Sequence, residues 1–203
     1  GAQLFRSLGI VNGDTIAVWL PNLPDFHILY WAAQRAGLYV TPIATALTDE
    51  EAAYIVENCG AKLLVSCDSI NGLPSLLGNH PKSLLHIFDL AQWRAAIGEM
   101  PETPIPDEKP GFHMVYSSGT TGRPKGVVYH HRGAYLMTMG TPIAWRMTLF
   151  PRYLAIVPLF HCNGWNHTWM LPALGGTLVC CRDITAKNVY DAIADEGVTH
   201  FGG

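Results

Sequence analysis

The sequence predicts an α/β fold, with alternating strands and helices and a mostly parallel sheet. Short apolar runs bounded by proline or glycine have the length and composition of buried strands. Segments of helical length, with capping residues at their ends, lie between these runs. Strands that alternate with helices favour crossover connections, which pair neighbouring strands in parallel. The 203 residues are 49% hydrophobic, so the chain can bury a sizeable core.

The first predicted elements are a strand and the helix that follows it. An apolar run over 15–20 forms the strand, and Pro21 ends it. The helix is predicted over 24–36, because a proline suits its first turn and Gly37 suits its end. The further strands predicted in this half of the chain cover 38–43, 62–66 and 84–88.

A second helix in the first half begins at a capping box. Thr48 and Glu51 have the T-x-x-E spacing in which each side chain bonds the other residue's backbone N–H. Gly60 ends this helix. Its inner face is predicted to consist of Ala52, Ile55 and Val56.

Residues 100–111 separate the two halves of the chain. The segment, MPETPIPDEKPG, is rich in proline and acidic residues, a composition typical of a surface connection. We therefore predict a candidate subdomain boundary near 100–111.

The second half continues the alternation of strands and helices. A strand over 112–117 enters a loop of glycine, serine and threonine, and the chain is again extended over 126–129. The next helix is predicted to turn Tyr135, Leu136 and Met139 inward. The remaining predicted elements are a strand over 153–157, a helix over 164–171, a strand over 177–181, a helix capped by Thr185 with Val189, Ala192 and Ile193 inward and Gly197 at its end, and a strand over 198–201.

Charge and cysteine content exclude several classes of function. The formal net charge is 13 − 16 = −3 without a long basic run, which makes nucleic acid a poor partner. Five cysteines without regular spacing indicate a reducing compartment, the cytoplasm or an organelle matrix, rather than a disulfide framework. No uninterrupted apolar run approaches the roughly 18 residues of a membrane span. The low charged fraction of 14% suggests that further protein covers part of the surface.

The segment 116–127, YSSGTTGRPKGV, carries the clearest chemical pattern in the sequence. It follows a predicted strand, so its start is anchored. Its glycines allow backbone N–H groups to approach an anion closely, while Arg123 and Lys125 add positive charge. The residues that can face a polyphosphate are Ser117, Ser118, Gly119, Thr120, Thr121, Gly122 and Lys125.

Composition alone leaves two interpretations of this segment open. It can be a polyphosphate-binding loop, or it can be a solvated hairpin tip made of small polar residues. The residue order excludes a Walker A loop, which requires G-x-x-x-x-G-K-[ST]. Gly126 follows Lys125 here, so no hydroxyl stands next to the lysine to hold magnesium. An ordinary P-loop nucleotidase is therefore disfavoured.

The same segment closely resembles the phosphate-loop signature of the adenylate-forming superfamily, [YF]-[ST]-S-G-[ST]-T-G-x-P-K-G-V. This superfamily comprises acyl-CoA synthetases, luciferases and the adenylation domains of peptide synthetases. Every position of the signature is matched, which makes it far more specific than a lone G-x-G-x-x-G. The resemblance implies that the loop binds the β- and γ-phosphates of ATP and that Lys125 takes part in catalysis.

The resemblance extends over the whole chain. The block 158–165, PLFHCNGW, with the Gly175-Gly176-Thr177 that follows it, is similar to acyl-CoA synthetases for short and medium acids, including plant acyl-activating enzymes. Luciferases and peptide synthetases are less similar in this block. Smaller matches to the superfamily are Gly13-Asp14, Pro21-Asn22, Ala36-Gly37 and Pro42.

Within the block 158–165, two side chains are candidate substrate-pocket residues. The resemblance implies that His161 lies beside the carboxylate and its adenylate, in a catalytic role. Judged from the residues alone, His161 is instead a histidine that bonds a backbone carbonyl at a strand end. Trp165 is a wall of the acyl pocket or an ordinary core aromatic, and the sequence leaves both open.

The other histidines and cysteines do not predict a metal site. His130 and His131 are adjacent and point in different directions, so we expect a helix-start or packing role. His161-Cys162 and Cys180-Cys181 lack zinc-ligand spacing. We therefore predict neither structural zinc nor any metal-ligating residue.

The resemblance implies a two-step reaction with ATP, Mg²⁺ and CoA. A carboxylic acid is first activated as its acyl-adenylate, and CoA then takes the acyl group as a thioester. Charge on the phosphates must be stabilised in the first step, and magnesium normally supplies part of that stabilisation. The alternatives are an adenylating enzyme with a carrier protein or another acceptor, and an inactive ATP-binding half-domain.

By the same resemblance, residues 1–203 are part of a large N-terminal AMP-binding domain. We expect the ribose-binding aspartate, a Thr-Glu pair and a C-terminal domain with a catalytic lysine to lie beyond Gly203. Because the first residue is Gly1, a targeting segment upstream stays open. The parent protein is predicted to be an acid–thiol ligase, and the 203-residue chain alone is predicted to be inactive.

Overall fold

The structure is a computed structural model that describes residues 1–70, 81–117 and 122–202, without the side chain of Asn163. The chain divides into two compact units. The first comprises Gly1–Leu20 and Ile28–Val128, and the second comprises Pro21–His27 and Tyr129–Gly203. The sequence-based boundary near 100–111 falls inside the first unit, and it stays a prediction.

A six-stranded sheet forms the centre of the first unit. Its strand order is β4-β3-β1-β2-β5-β6, and every neighbouring pair is parallel except the antiparallel pair β5–β6. The predicted α/β fold with a mostly parallel sheet is confirmed. The strands are β1 Thr15–Trp19, β2 Tyr39–Pro42, β3 Ala61–Ser66, β4 His86–Asp89, β5 Phe112–Ser117 and β6 Lys125–Val128.

Burial is greatest in the middle of this sheet. All five residues of β1 are buried, whereas all four residues of β6 are exposed. A central parallel strand is covered on both faces, which explains why β1 is an unbroken apolar run. The phosphate-loop segment predicted from the sequence thus begins and ends on the two strands nearest one edge of the sheet.

Helices follow the strands of the first unit. The capping box of Thr48 and Glu51 is present, with Ala52, Ile55 and Val56 buried, so both predictions for this helix are confirmed. Two helices were not predicted, and the second of them begins at another capping box, formed by Asp89 and Gln92. The helices are α1 Ala2–Ser7, α2 Pro24–Arg35, which continues from the second unit, α3 Asp49–Asn58 and α4 Leu90–Gly98.

The second unit is built around a three-stranded parallel sheet of order β8-β7-β9. The predicted helix over 164–171 is instead a short helix and a longer one, interrupted at Asn166. The strands are β7 Arg152–Ala155, β8 Thr177–Cys180 and β9 His200–Phe201, and the helices are α5 His131–Ala144, α6 Cys162–Trp165, α7 His167–Ala173 and α8 Ala186–Asp195.

The predicted inner face of α5 is wrong. Tyr135, Leu136 and Met139 are 63%, 60% and 51% exposed, and Thr138 is the buried residue. Helix α7 packs on the threonine side of α5, where the Asn166 amide donates to the Thr141 hydroxyl at 3.0 Å. Apolar periodicity identifies a helix face, but it does not say which neighbour covers that face.

Helix α8 keeps its predicted cap and part of its predicted packing. The Thr185 hydroxyl accepts from the Asn188 N–H at 3.1 Å. The three side chains predicted to face inward, Val189, Ala192 and Ile193, are half-buried. Among the described residues, none of the helices combines the length and the apolarity that crossing a membrane requires.

Candidate functional site

The predicted phosphate loop joins the strands of an antiparallel hairpin in the first unit. Ser117, the last residue of β5, is paired with Lys125, the first residue of β6, and both side chains are exposed. This pairing places a hydroxyl and an ammonium group side by side at the loop end of the hairpin. Ser118, Gly119, Thr120 and Thr121, the other predicted loop residues, lie outside the described residues.

Two glycines shape the limb of the hairpin that enters β6. Gly122 has φ = 94°, in the left-handed region that side chains other than glycine rarely adopt. A Cβ on Gly126 would lie 2.9 Å from Met114 Sδ and 3.3 Å from the Tyr116 ring. Gly126 is the register partner of Tyr116, so the aromatic ring lies against bare backbone. Both glycines therefore have structural reasons to stand in this segment.

His161 lies in the second unit, in the turn before α6. Its backbone N–H donates to the Pro158 carbonyl, and its carbonyl accepts from Gly164 and Trp165. The side chain is exposed, with Nδ1 3.6 Å from the Cys162 sulfur. The turn therefore presents an imidazole and a thiol together at the surface of this unit.

A buried asparagine that the sequence did not single out as functional holds this turn. Asn22 is 6% exposed, and its Nδ2 donates to the carbonyls of Ala155 at 2.9 Å and Val157 at 3.2 Å. The Leu159 N–H donates back to Asn22 Oδ1 at 2.9 Å. These bonds connect the end of β7 with the backbone that leads to His161. The superfamily match at Pro21-Asn22 was the available signal for this residue. The role of Asn22 depends on long-range contacts that the sequence does not show.

Trp165 lies in an aromatic cluster of the second unit. It is 1% exposed, with ring centroids 5.6 Å from Phe26 and 6.2 Å from Trp169, both edge-on. Tyr129 adds an edge contact to Trp169 at 6.0 Å. Burial raises the pKa of Tyr129, and the nearby Cys162 raises it further. The cluster thus reaches from the core of the unit to the thiol beside His161.

His167 is a second histidine tied to the block 158–165. The Gly164 carbonyl accepts a bond from its Nδ1–H at 3.2 Å, and its ring stacks on Tyr153 with centroids 3.8 Å apart. Burial lowers the pKa of His167, against an opposing effect of the Gly164 carbonyl. A neutral ring that donates through Nδ1 fits this position. The bond holds the backbone carbonyl of Gly164, three residues after His161.

The adjacent pair His130 and His131 begins α5, as the sequence predicted. His130 is the N-cap, and its Nδ1 accepts from the Arg132 N–H at 3.1 Å. Within the ranges 1–70, 81–117 and 122–202, no three His, Cys, Asp or Glu side chains group closely enough to hold a metal ion. These ranges include all five cysteines, and none of them forms a disulfide. Burial is the main cause that raises the pKa of Cys59 and of Cys180 to about 11.

Comparison with known proteins adds family, sequence and structural matches. The family model of AMP-binding enzymes matches residues 1–203. A peroxisomal butyrate–CoA ligase of Arabidopsis thaliana is 33% identical over 98% of this chain and 40% of its own length. A peroxisomal benzoate–CoA ligase of the same plant is 37% identical over 96% of this chain and 38% of its own length. The chain therefore spans about 40% of the length of these relatives.

Solved structures share the fold at low sequence identity. The N-terminal domain of FACL13 from Mycobacterium tuberculosis superimposes with a TM-score of 0.91 at 22% identity, over 100% of this chain and 52% of that one. The o-succinylbenzoate CoA synthetase of Bacillus subtilis, in complex with ATP and magnesium, gives a TM-score of 0.79 at 21% identity, over 98% and 53%.

Proposed function

The chain belongs to the family of AMP-binding enzymes, and on that premise we propose that the full-length protein is an acid–CoA ligase. It activates a short- or medium-chain carboxylic acid with ATP and transfers the acyl group to CoA. The observation that carries the proposal is the register pair of Ser117 and Lys125, within a segment that matches the family's phosphate signature. The names of the plant relatives, which are CoA ligases, support the choice of reaction.

The hairpin supplies the first chemical requirement, charge complementarity to a polyphosphate. The Lys125 ammonium is exposed at the start of β6 and contributes a positive charge. Ser117 contributes a hydroxyl donor beside it. In the proposal these two groups, with Ser118, Gly119, Thr120, Thr121 and Gly122, bind the β- and γ-phosphates. They stabilise the negative charge that develops on pyrophosphate as it leaves.

The proposed reaction consists of two displacements. In the first, a carboxylate oxygen forms a bond to the α-phosphorus of ATP, and the bond from that phosphorus to the bridging oxygen of pyrophosphate breaks. In the second, the CoA sulfur bonds to the acyl carbon, AMP leaves, and the thiol proton passes to solvent. The products are acyl-CoA, AMP and pyrophosphate. Positioning and electrostatic stabilisation are the main tasks that such phosphoryl chemistry sets for the protein.

In the proposal, the turn at 158–165 binds the carboxylic acid. The exposed imidazole of His161 hydrogen-bonds the carboxylate in the first step, and Trp165 backs the acyl group. The bonds of Asn22 to the backbone of this turn support a defined position for His161. Positioning of reacting groups is a large source of rate acceleration.

Magnesium in this proposal arrives as part of MgATP, a substrate. The described residues contain no carboxylate-rich cluster that would bind the ion by themselves, so we assign no protein ligand to it. Its chemical contribution is to neutralise phosphate charge. We place the protein in the cytoplasm or an organelle matrix, because its cysteines are not paired in disulfides and the plant relatives are named peroxisomal.

The test is carboxylate-dependent exchange of pyrophosphate into ATP by the full-length protein, followed by mass detection of acyl-CoA. A panel of acids from acetate to benzoate covers the proposed substrate class. Lys125→Ala is expected to slow the exchange by about 100-fold, the usual effect of losing one stabilising group. The control is Lys82→Ala, which removes an exposed lysine of the same unit. Equal rates in both variants would contradict the role of Lys125.

The same assay decides between CoA and another acceptor. Exchange of pyrophosphate without acyl-CoA formation would favour a carrier protein as acceptor. Absence of exchange with every acid, together with retained ATP binding, would favour an ATP-binding domain that is not catalytic.

A further inference from the structure

The hairpin of β5 and β6, here called the phosphate hairpin, receives little support from the rest of the sheet near its loop end. Its second strand, β6, is at the edge and has β5 as its one neighbour in the described sheet. All four residues of β6 are exposed. β5 pairs with β2 through Phe112 and His113, so its end from Met114 to Ser117 has a strand partner on one side alone among the described strands. A two-stranded ribbon is only marginally stable by itself. The position of Lys125 therefore depends on what else contacts the hairpin.

Helix α3 contacts the limb that enters β6. The Tyr54 hydroxyl donates to the Pro124 carbonyl at 3.3 Å. The Arg123 guanidinium lies over the Tyr54 ring, 5.3 Å from its centroid, within the range of a cation–π interaction. One tyrosine thus contacts the two residues that immediately precede Lys125.

The same helix contacts the other limb of the hairpin, at the end of β5. The hydroxyl of Tyr116, the residue before Ser117, donates to Asn58 Oδ1 at 2.7 Å. Tyr54 and Asn58 are four positions apart, so they lie on the same helix face. Both limbs of the hairpin are therefore tied to a single face of α3.

Helix α3 is itself firmly placed. Three of its apolar side chains are buried, and its N-terminus is closed by the Thr48–Glu51 capping box.

Burial raises the pKa of Tyr116, and Cys59 and Tyr54 raise it further. The Tyr116 phenol is therefore neutral at physiological pH, as its role as donor to Asn58 requires.

We propose that Tyr54 and Asn58 are positioning residues of the phosphate site. From α3 they hold the two limbs of the hairpin so that Ser117 and Lys125 stand beside each other toward the terminal phosphates of ATP. This inference rests on the proposed function. Neither residue belongs to the glycine-rich signature, and neither is required to touch the nucleotide.

The consequence is a selective loss of affinity. Ligands that carry the terminal phosphates, MgATP and pyrophosphate, depend on the hairpin, whereas AMP lacks both phosphates that the hairpin is proposed to bind. Loss of the contacts that Tyr54 and Asn58 make with the hairpin reduces the affinity for MgATP and pyrophosphate and leaves the affinity for AMP unchanged. Damage to the fold as a whole would reduce affinity for all three.

Calorimetric titration of the full-length protein with MgATP, pyrophosphate and AMP tests the proposal. Tyr54→Leu and Asn58→Leu are each expected to raise Kd for MgATP and for pyrophosphate about tenfold, with Kd for AMP within twofold of the unsubstituted value. Tyr54→Phe keeps the ring under Arg123 and is expected to give a smaller effect. Asn58→Asp keeps an acceptor oxygen for Tyr116 and is expected to bind MgATP and pyrophosphate as tightly as the unsubstituted protein does. The control is Glu57→Gln, which alters an exposed side chain of the same helix.

A double-mutant cycle tests the contact itself. Tyr116→Phe and Asn58→Leu remove the two partners of one hydrogen bond, so the double variant is expected to bind MgATP no more weakly than the weaker single variant. Additive losses, or a parallel loss of AMP affinity, would overturn the positioning role. If Lys125→Ala weakens MgATP binding while both α3 variants bind normally, the inference fails and the proposed function stands. If the unsubstituted protein does not bind MgATP, both are overturned.

Discussion

The side-chain oxygen of Asn22 accepts a hydrogen bond from the backbone N–H of Leu159 at 2.9 Å, across 137 positions of sequence. The same amide donates to the carbonyl of Ala155, the last residue of β7, and to that of Val157. One buried side chain thus satisfies three backbone groups in the segment that leads to His161. Such a bonded polar side chain stabilises one backbone conformation, because in any other conformation these three backbone groups would be buried without hydrogen-bond partners.

Replacement of Asn22 by alanine is expected to reduce the free energy of unfolding by about 3 kcal/mol, because three hydrogen bonds are lost and backbone groups stay buried without partners. Urea unfolding at neutral pH measures this. Asn188→Ala is the control, since Asn188 is exposed and its side chain donates one bond, to the Asp183 carbonyl. Similar losses in the two variants would show that burial of the Asn22 network contributes little.

Gly164 is expected to tolerate no side chain. A Cβ at this position would lie 2.4 Å from the Pro158 carbonyl oxygen, and backbone atoms cannot move aside as a flexible side chain can. Gly164→Ala is therefore expected to reduce the free energy of unfolding by about 2 kcal/mol, as overpacking does. Gly140→Ala, in α5 with no atom within 4 Å of the added Cβ, is expected to stabilise by about 0.5–1 kcal/mol. Thermal unfolding of both variants checks these predictions: the unfolding temperature is expected to fall in Gly164→Ala and to rise in Gly140→Ala.

Stability is expected to fall as pH decreases below about 6.5. Burial lowers the pKa of His27 from 6.5 to about 4, and burial also lowers the pKa of His113 and of His167. The unfolded chain binds the proton first, so the stabilisation from each neutral ring is complete above pH 6.5 and is lost as pH falls toward the folded pKa. For His27 the loss between pH 7.5 and pH 5.0 is about 2 kcal/mol.

The His27→Leu variant checks the contribution of that ring. Its free energy of unfolding is expected to change less between pH 7.5 and pH 5.0 than that of the unsubstituted chain, by about 2 kcal/mol. The exposed His131→Leu is the control for the loss of a histidine as such. An unchanged pH dependence in His27→Leu would contradict the assignment.

One fast-reacting thiol per chain is expected. Cys162 is exposed, whereas Cys67 and Cys181 are buried, and the pKa of Cys59 and of Cys180 is raised to about 11. At pH 8 a thiol with pKa 11 is ionised to about one part in a thousand, and the thiolate is the reactive form. Titration with a disulfide reagent should show one rapid phase that Cys162→Ser removes and Cys59→Ser leaves. A rapid phase that persists in Cys162→Ser would disprove the assignment.

Local sequence signals accounted for much of the fold. The parallel α/β architecture and the Thr48 cap follow from apolar runs and from T-x-x-E spacing, which are local. Helix α4 was missed although Asp89 and Gln92 have comparable cap spacing. The inward face of α5 was predicted wrongly because its apolar stripe includes Leu136, while the helix packs through Thr138. Which face is covered depends on tertiary neighbours, and these are not encoded in a single segment.

The candidate site divides in the same way. Ser117, Lys125 and His161 belong to continuous motifs, so residue type and order were sufficient to propose them. Tyr54, Asn58 and Asn22 act through contacts with residues 58 to 137 positions away. Such contacts arise from the crossover connections of a parallel sheet. No local pattern distinguishes Tyr54 and Asn58 from ordinary helix residues, and the match at Pro21-Asn22 marks Asn22 without showing its contacts.

The location of the phosphate hairpin at the sheet edge has a consequence for hydrogen exchange. Amide protons of β1, buried between β2 and β3, can exchange only when the whole unit opens. Those of Lys125–Val128 are bonded to a single neighbour and face solvent, so a local opening of the ribbon releases them. The segment that would handle ATP is thus part of the least protected region of its sheet, and a bound polyphosphate should slow its exchange far more than that of the core.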